Sequence, residues 1–320
     1  MENSPNKKED FNSEFVHYTV MLNEAVDALI PDGKKSDKIF VDATLGGGGH
    51  SALIASRLEG DGRLISFDVD SDAIKAASKK LESYENVTIV NDSYSNIREN
   101  LQKLGIEKIT GGIIFDLGAS YHQLTKAERG FSFAKDAPLD MRFNQEQDFS
   151  AWDIVNKYSA DELVEIFSKY GEERFSKRIA RAIVENRPLN TTSQLSELIV
   201  KSTPKIKSKI HPATRVFQAL RIEVNKELLN FENTLNEVVT LLDYGAIISV
   251  ISFHSLEDRL AKTAFKRFSM ECRCGINEAK CDCGGKLINI ITKKPILASD
   301  DEVKANPPSR SAKLRIAQRV

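Results

Sequence analysis

The sequence predicts an α/β fold, a doubly wound and mostly parallel sheet interrupted by an all-helical insert. Three observations carry this expectation. Residues 38–117 alternate apolar strand-like runs with helix-like runs. A glycine-rich turn follows the first of those strands, as in nucleotide-binding βαβ units. Residues 150–202 then read as helix throughout, with no strand between them.

Taken in order, the first strand covers 38–42 and ends at Asp42, and Thr44-Leu-Gly-Gly-Gly-Gly-His50 leads into a helix over 46–58. Glycines suit a loop whose backbone turns tightly and admits a ligand without Cβ atoms in the way. A second strand, 63–68, ends at Asp68 and is followed by a helix over 71–83. The third strand, 87–90, leads through Asp92-Ser93-Tyr94 into a helix near 95–104. A fourth strand at 111–117 carries Asp116 near its end. In the helical part, Ser159-Ala-Asp-Glu162 is a capped helix start, Arg187-Pro188 breaks a helix, and Thr192-Ser193 starts another. Pro212 opens a long amphipathic helix over 212–242, followed by strands at 245–253, 286–291 and 313–317. The expected organisation is a disordered tail (1–14), a sheet domain split into 15–120 and 211–320, and a helical insert at 121–210.

A formal net charge of −1 over 320 residues gives no global nucleic-acid signal, so any such signal must be local. No apolar run reaches the length of about 18 residues that a membrane span needs. The N-terminus lacks the apolar core of a signal peptide, which points to a cytoplasmic protein. The four cysteines are then reduced thiols or metal ligands rather than disulfides. Cys272, Cys274, Cys281 and Cys283 form a C-x-C-x6-C-x-C pattern. Four thiolates suit a structural zinc, but the spacing is not that of the common knuckle, and a loop of free thiols fits equally.

Ligands of such sheets bind at the carboxyl ends of the strands. A carboxylate at Asp42 would repel a pyrophosphate but welcome S-adenosylmethionine, whose sulfonium and ammonium are cationic. Asp68 is placed to accept from ribose hydroxyls. Tyr94 suits stacking on adenine, or simple core packing. Asp116 suits either holding an exocyclic amine during methyl transfer or orienting the cofactor's methionine part. The cysteines lie in one late loop away from every strand end, which argues for direct transfer rather than a cysteine adduct. Local basic groups (Lys201, Lys205, Lys207, Lys209 and Arg215; Arg174, Lys177, Arg178 and Arg181; Lys262, Lys266, Arg267 and Arg273) suit RNA phosphates or solvated helix faces. Two rivals from other classes are an NAD-dependent oxidoreductase, which Asp42 opposes, and a noncatalytic zinc-stabilised RNA-binding protein.

Nine runs in order carry a resemblance over nearly the whole chain: His17-Tyr-Thr-Val-Met-Leu22, Asp42-Ala-Thr-Leu-Gly-Gly-Gly-Gly-His50, Asp116-Leu-Gly-Ala-Ser120, Glu128-Arg-Gly-Phe-Ser-Phe133, Pro138-Leu-Asp-Met-Arg142, Tyr170-Gly-Glu-Glu-Arg-Phe175, His211-Pro-Ala-Thr-Arg215, Ser252-Phe-His-Ser-Leu-Glu-Asp-Arg259 and Arg310-Ser-Ala-Lys-Leu-Arg315. The sequence resembles the MraW (RsmH) family of bacterial ribosomal RNA cytosine-N4 methyltransferases. The resemblance implies a class I methyltransferase fold using S-adenosylmethionine, acting on one cytidine in the decoding region of 16S ribosomal RNA. It implies cofactor contacts at Gly48, Gly49, His50, Asp68, Tyr94, Asp116 and Gln123, with Asp116 as the catalytic candidate. The expected partner is 16S RNA, within the assembled small subunit or free, with no membrane; the oligomeric state stays open, a homodimer among the options. Where the family carries Leu-Gly-Val-Ser-Ser-Pro-Gln, this chain has Leu117-Gly-Ala-Ser-Tyr-His-Gln123.

Overall fold

The computed structural model describes residues 19–120, 123–124, 126–204, 210–274 and 284–320. The expected tail at 1–14, Tyr121, His122, Lys205, Lys207, Lys209, Cys281 and Cys283 lie outside the described residues. The strands are β1 (Ile39–Asp42), β2 (Arg63–Asp68), β3 (Val87–Asn91), β4 (Gly112–Asp116), β5 (Ile247–Ser252), β6 (Ile288–Ile290), β7 (Ile296–Leu297) and β8 (Lys313–Arg319). Their spatial order is β3-β2-β1-β4-β5-β8-β6, with β7 also paired to β8. The first five are parallel, while β8 runs antiparallel to β5, β6 and β7. This is the doubly wound, mostly parallel sheet the alternation predicts. The order reverses between β1 and β4, so a crevice opens at their carboxyl ends.

Both faces of the sheet are covered, which is why β4 reads Gly-Ile-Ile-Phe-Asp and β5 is apolar almost throughout. Alternate side chains go to opposite faces. Val41, Ile113 and Phe115 join the core that holds Phe231 and Phe265, whereas Phe40 and Ile114 join the one that holds Ala25 and Ile54. The helices α1 (Leu22–Leu29) and α2 (Gly49–Ser56) lie with the second of these cores. Next come α3 (Ser71–Leu81), capped by the Asp70 side chain on the Asp72 amide at 3.0 Å, and α4 (Ile97–Lys103). A third core, from Phe131 to Val224, is built from helices and the connecting segments around Phe131, Leu139 and Met141, with no strand among its described residues. It packs the helices Ala151–Lys157, Ala160–Lys169, Ser176–Glu185 and Thr192–Ser202, of which the first, second and fourth start with reciprocal caps at Ser150, Ser159 and Thr191. The next helix, Thr214–Asn225, lies beyond residue 210 yet contributes Val216, Phe217 and Leu220 to the same core.

Several elements differ from the sequence expectation. The single helix expected over 212–242 is two, Thr214–Asn225 and Glu227–Leu241, because Lys226 adopts a left-handed conformation between them (φ 50°, ψ 34°). Asn225 holds that break: its Nδ2 donates to the Met141 carbonyl and its Oδ1 accepts from the Phe143 amide. The glycine loop stays a turn up to Gly48, so α2 begins at Gly49. Helix α1, strand β7 and a short helix at Asp300–Ala305, capped by Ser299 on the Glu302 amide, are not among the expected elements. Among the described residues no helix is long and apolar enough to cross a membrane.

Candidate active site

Two adjoining cavities occupy the crevice. The first, about 260 Å³, is lined by Asp68, Asp92, Tyr94 and Gln123 from the sheet side and by Glu227 and Glu257. The second, about 290 Å³, is lined by Gly47, Gly49, His50, Asp116, Arg221 and Asn306, among others. Thr44, Gly46, Leu117, Gly118 and Ser120 line both, so the glycine loop and the turn after β4 form their common wall.

Asp68 closes the glycine loop onto β2. Its Oδ2 accepts from the Gly46 amide at 2.8 Å and its Oδ1 from the Asp70 amide at 2.9 Å. Each carboxylate oxygen has two acceptor sites, so both retain capacity toward the cavity. Burial, offset in part by these amides, pushes the Asp68 carboxyl up from 3.8 to about 6. Tyr94 lies edge-on to Phe115, with ring centroids 5.8 Å apart; it packs on the core, as one of the two expected uses has it, and also lines the first cavity. Burial and the nearby Glu227 and Glu257 hold its phenol neutral.

The glycines act differently from the expectation. A Cβ on Gly49 would fall 1.8 Å from Thr19 Oγ1, and one on Gly48 would fall 3.0 Å from Ala77 Cβ. At these two positions the space saved goes to the protein's own packing. Gly46, whose Cβ site is nearly open, is the glycine of this loop that lines both cavities, whereas Gly47 and Gly49 line the second.

Asp42 is also corrected. It is fully buried, accepts from Ser51 Oγ at 2.6 Å and the Thr44 amide at 3.0 Å, and lines neither cavity. The sheet register explains this: Asp42 pairs with Ser66 and Ile114, two residues below Asp68 and Asp116. It organises the loop from beneath, and burial pushes its own carboxyl up to about 6.

Asp116 stands at the level of Thr44, whose hydroxyl accepts from the Asp116 amide at 2.6 Å. Its Oδ2 lies 3.7 Å from His50 Nδ1, and its Oδ1 is buried with no hydrogen-bond partner among the described residues. His50, buried, makes a second contact through Nε2 to the Val20 carbonyl at 3.2 Å. Burial first, then the negative Asp42, Glu257 and Glu302, push the Asp116 carboxyl well above the usual carboxylate range. A buried carboxyl with an unpartnered oxygen at a cavity wall marks a candidate ligand-contacting group.

The family model of the MraW methylase family matches residues 14–320. The chain belongs to that family. It is 49% identical over 312 residues to a "Ribosomal RNA small subunit methyltransferase H" of Clostridium botulinum, covering 96% of this chain and 100% of that one. Proteins of the same name from Caldicellulosiruptor bescii and Clostridioides difficile are 50% and 46% identical, again over 96% of this chain and all of theirs.

Within this MraW-family chain, six of the seven expected cofactor positions line a cavity: Asp68, Tyr94 and Gln123 the first, and Gly49, His50 and Asp116 the second. Gly48 lines neither. Gln123 is anchored at both ends, its Oε1 accepting from the Ser120 amide and its Nε2 donating to Asp70 Oδ2, each at 2.8 Å. Reasoning from the sequence missed Asn225, Glu227, Asn230 and Glu257, which reach the first cavity from distant helices. Among the basic residues, Arg174, Lys177, Arg178 and Arg181 are exposed on the helical part, Arg181 pairing with Glu185 at 3.1 Å. The described residues contain no group of three or more candidate metal ligands, and with Cys281 and Cys283 outside them the zinc expectation gains no support.

Proposed function

We propose that this chain transfers a methyl group from S-adenosylmethionine to the exocyclic N4 amine of one cytidine in the decoding region of 16S ribosomal RNA. The observation that carries this reading is Asp116: an acceptor at the end of β4 that lines the second cavity, next to the turn both cavities share, with a buried oxygen that has no hydrogen-bond partner among the described residues. The names of the relatives support the small-subunit RNA as substrate.

The residues present fit the cofactor. Asp68 suits the ribose hydroxyls, Tyr94 and Asp92 the adenine, and the loop at Gly46, Gly49 and His50 the amino-acid end. Asp68, Asp116, Glu227 and Glu257 make the crevice acidic, which favours a sulfonium and an ammonium. When bound, S-adenosylmethionine supplies an electrophilic methyl group on sulfur. Asp116 then accepts an N–H of the cytosine amine, whose lone pair is otherwise drawn into the ring, and so turns that lone pair toward the methyl. In that transfer the N–C bond would form as the methyl–sulfur bond broke, and the proton the nitrogen gives up would pass to Asp116. Neither Cys272 nor Cys274 lines a cavity, which supports direct transfer without an enzyme adduct. The segments 15–120 and 211–320 serve as the catalytic part, and the insert at 121–210, with exposed Arg174, Lys177 and Arg178, offers phosphate contacts. The base leaves its stack to reach the crevice. The substrate we favour is the assembled small subunit in the cytoplasm.

The test is methyl transfer to small subunits that lack the modification, with the RNA digested to nucleosides and read by mass spectrometry. N4-methylcytidine is the expected product, while 5-methylcytidine or no methylated cytidine at all would overturn the reading.

The pH dependence of cofactor binding follows from the raised carboxyls. Asp68 is raised from 3.8 to about 6, and Asp116 is raised in the same direction. A raised folded-state pKa means the folded chain holds these protons more tightly than the unfolded one. The ligand-free protein is therefore favoured by protonation of these groups below pH 4 and loses that contribution as pH rises through about 6. A cationic ligand wants the ionised forms. Affinity for S-adenosylmethionine is expected to rise by about tenfold per pH unit for each proton released. Calorimetry from roughly pH 5.5 to 7.5 checks this, and a flat profile would contradict it.

A further inference from the structure

Arg221 stands between the two cavities with no part in the chemistry above. It belongs to the Thr214–Asn225 helix, and its side chain is 17% exposed and lines the second cavity. Its Nε donates to Glu227 Oε1 at 2.8 Å. Its Nη2 lies 3.9 Å from Glu257 Oε1, too far to bond, and is buried with no hydrogen-bond partner among the described residues. Nη1 likewise makes no hydrogen bond to any described residue. Glu227 thus holds the guanidinium through Nε, Glu257 stands beside it at ion-pair distance, and the outer nitrogens have no hydrogen-bond acceptor among the described residues.

Those outer nitrogens face the catalytic turn. They lie 3.8 and 3.9 Å from the point where a Cβ would stand on Gly118, two residues after Asp116, and Gly118 lines both cavities. A buried donor without an acceptor is costly, so a site that keeps one in a cavity wall is built for an acceptor that arrives. The surroundings decide which acceptor. With Asp116, Glu227 and Glu257 close by, a carboxylate or phosphate is repelled, whereas a neutral carbonyl or ring nitrogen is not. Cytosine presents an amine donor at N4 and acceptors at N3 and O2. Asp116 supplies the acceptor for the first, and the arginine fork supplies donors for the other two. Uracil reverses the pattern at positions 4 and 3, and adenine offers no second acceptor beside its ring nitrogen.

We propose that Arg221 donates to N3 and O2 of the target cytosine and is a specificity-determining residue for the reaction. The proposal rests on the N4-transfer reading, because it takes Asp116 as the partner of the amine.

The experiment uses small subunits assembled from ligated RNA with either cytidine or 3-deazacytidine at the target. The analogue keeps the amine but replaces N3 with C–H. For the wild-type chain kcat/KM is expected to fall by about 10- to 100-fold on the analogue. Arg221→Met is expected to lose a similar factor on cytidine and to show little further loss on the analogue. Its affinity for S-adenosylhomocysteine should stay within about threefold of wild type, and Arg221→Lys should recover part of the loss, one donor being restored. Equal losses on the analogue with and without Arg221 would overturn the contact. A fall in S-adenosylhomocysteine affinity that matches the fall in activity would overturn it in favour of a cofactor contact. Should Arg221→Met not fold, Arg221→Lys carries the same comparison. A wild-type chain that methylates no cytidine refutes the N4 reading itself, an outcome visible without any variant.

Discussion

Asp116→Ala is expected to reduce N4-methylcytidine formation by about a thousandfold or more while leaving the fold at least as stable as the wild type. The two halves of this expectation have one cause. The Asp116 carboxyl is buried, one of its oxygens has no partner among the described residues, and the negative Asp42, Glu257 and Glu302 surround it. Such a group costs about 1–3 kcal/mol of desolvation that nothing in the fold repays. Removing it relieves the fold and empties the site of its acceptor, the usual signature of function held at the expense of stability. Asp116→Asn separates its two roles. The amide oxygen still accepts an N–H but cannot take the proton, so a residual rate well above that of alanine would mean that holding the amine matters more than removing its proton. Parallel measurements of activity, thermal midpoint and cofactor affinity check these points. A variant that keeps more than about a tenth of the activity, or whose kcat is untouched while cofactor affinity collapses, would remove Asp116 from the transfer step.

The site was legible where its signals are local. The glycine loop, the acid ending β2 and the acid ending β4 each lie beside an apolar run, and parallel strands bring such ends together without further instruction. Asp42 was misread because a strand-end acid carries no mark of its level in the sheet. Only the register, which pairs Asp42 with Ser66 and Ile114, shows it one pleat too deep to touch a ligand. Glu227 and Glu257 were hidden for another reason. They reach the first cavity from more than a hundred residues away in sequence, and Glu227 does so only because the helix breaks at Lys226. A lysine with positive φ is uncommon and leaves no trace in an amphipathic pattern that continues through it. Arg221, one turn earlier, was hidden with them. The glycines at 48 and 49 were found for a reason that holds only in part, since Thr19 and Ala77 fill the space their missing side chains leave.

The largest stability effect is expected at Asp70 and Arg129, which join the insert to the sheet. Asp70 is 1% exposed and serves three donors: the Asp72 amide at the start of α3, Gln123 Nε2 and Arg129 Nη1, the last two both at 2.8 Å from Oδ2. Arg129, 3% exposed, also donates to the carbonyls of Arg142 and Phe143 at 2.9 and 3.1 Å. One ion pair thus caps α3, seats Gln123 in the first cavity and holds the turn that brings Phe143 to its wall. Asp70→Ala leaves the buried guanidinium with only the more distant Asp72 carboxylate, 3.9 Å away, as a charge partner, and Arg129→Met leaves the buried Asp70 carboxylate without its cation. Each is expected to cost about 3–5 kcal/mol, because a lone buried charge loses its partner but not its desolvation. Replacing both at once, Asp70→Asn with Arg129→Met, is expected to cost clearly less than the sum, since no uncompensated charge remains and the asparagine still accepts at the α3 cap. Denaturant unfolding of the two single variants and the double variant measures the coupling directly. Single changes that cost less than about 1 kcal/mol, or a double variant whose losses simply add, would show that the pair is solvated in solution and that some other contact joins the insert to the sheet.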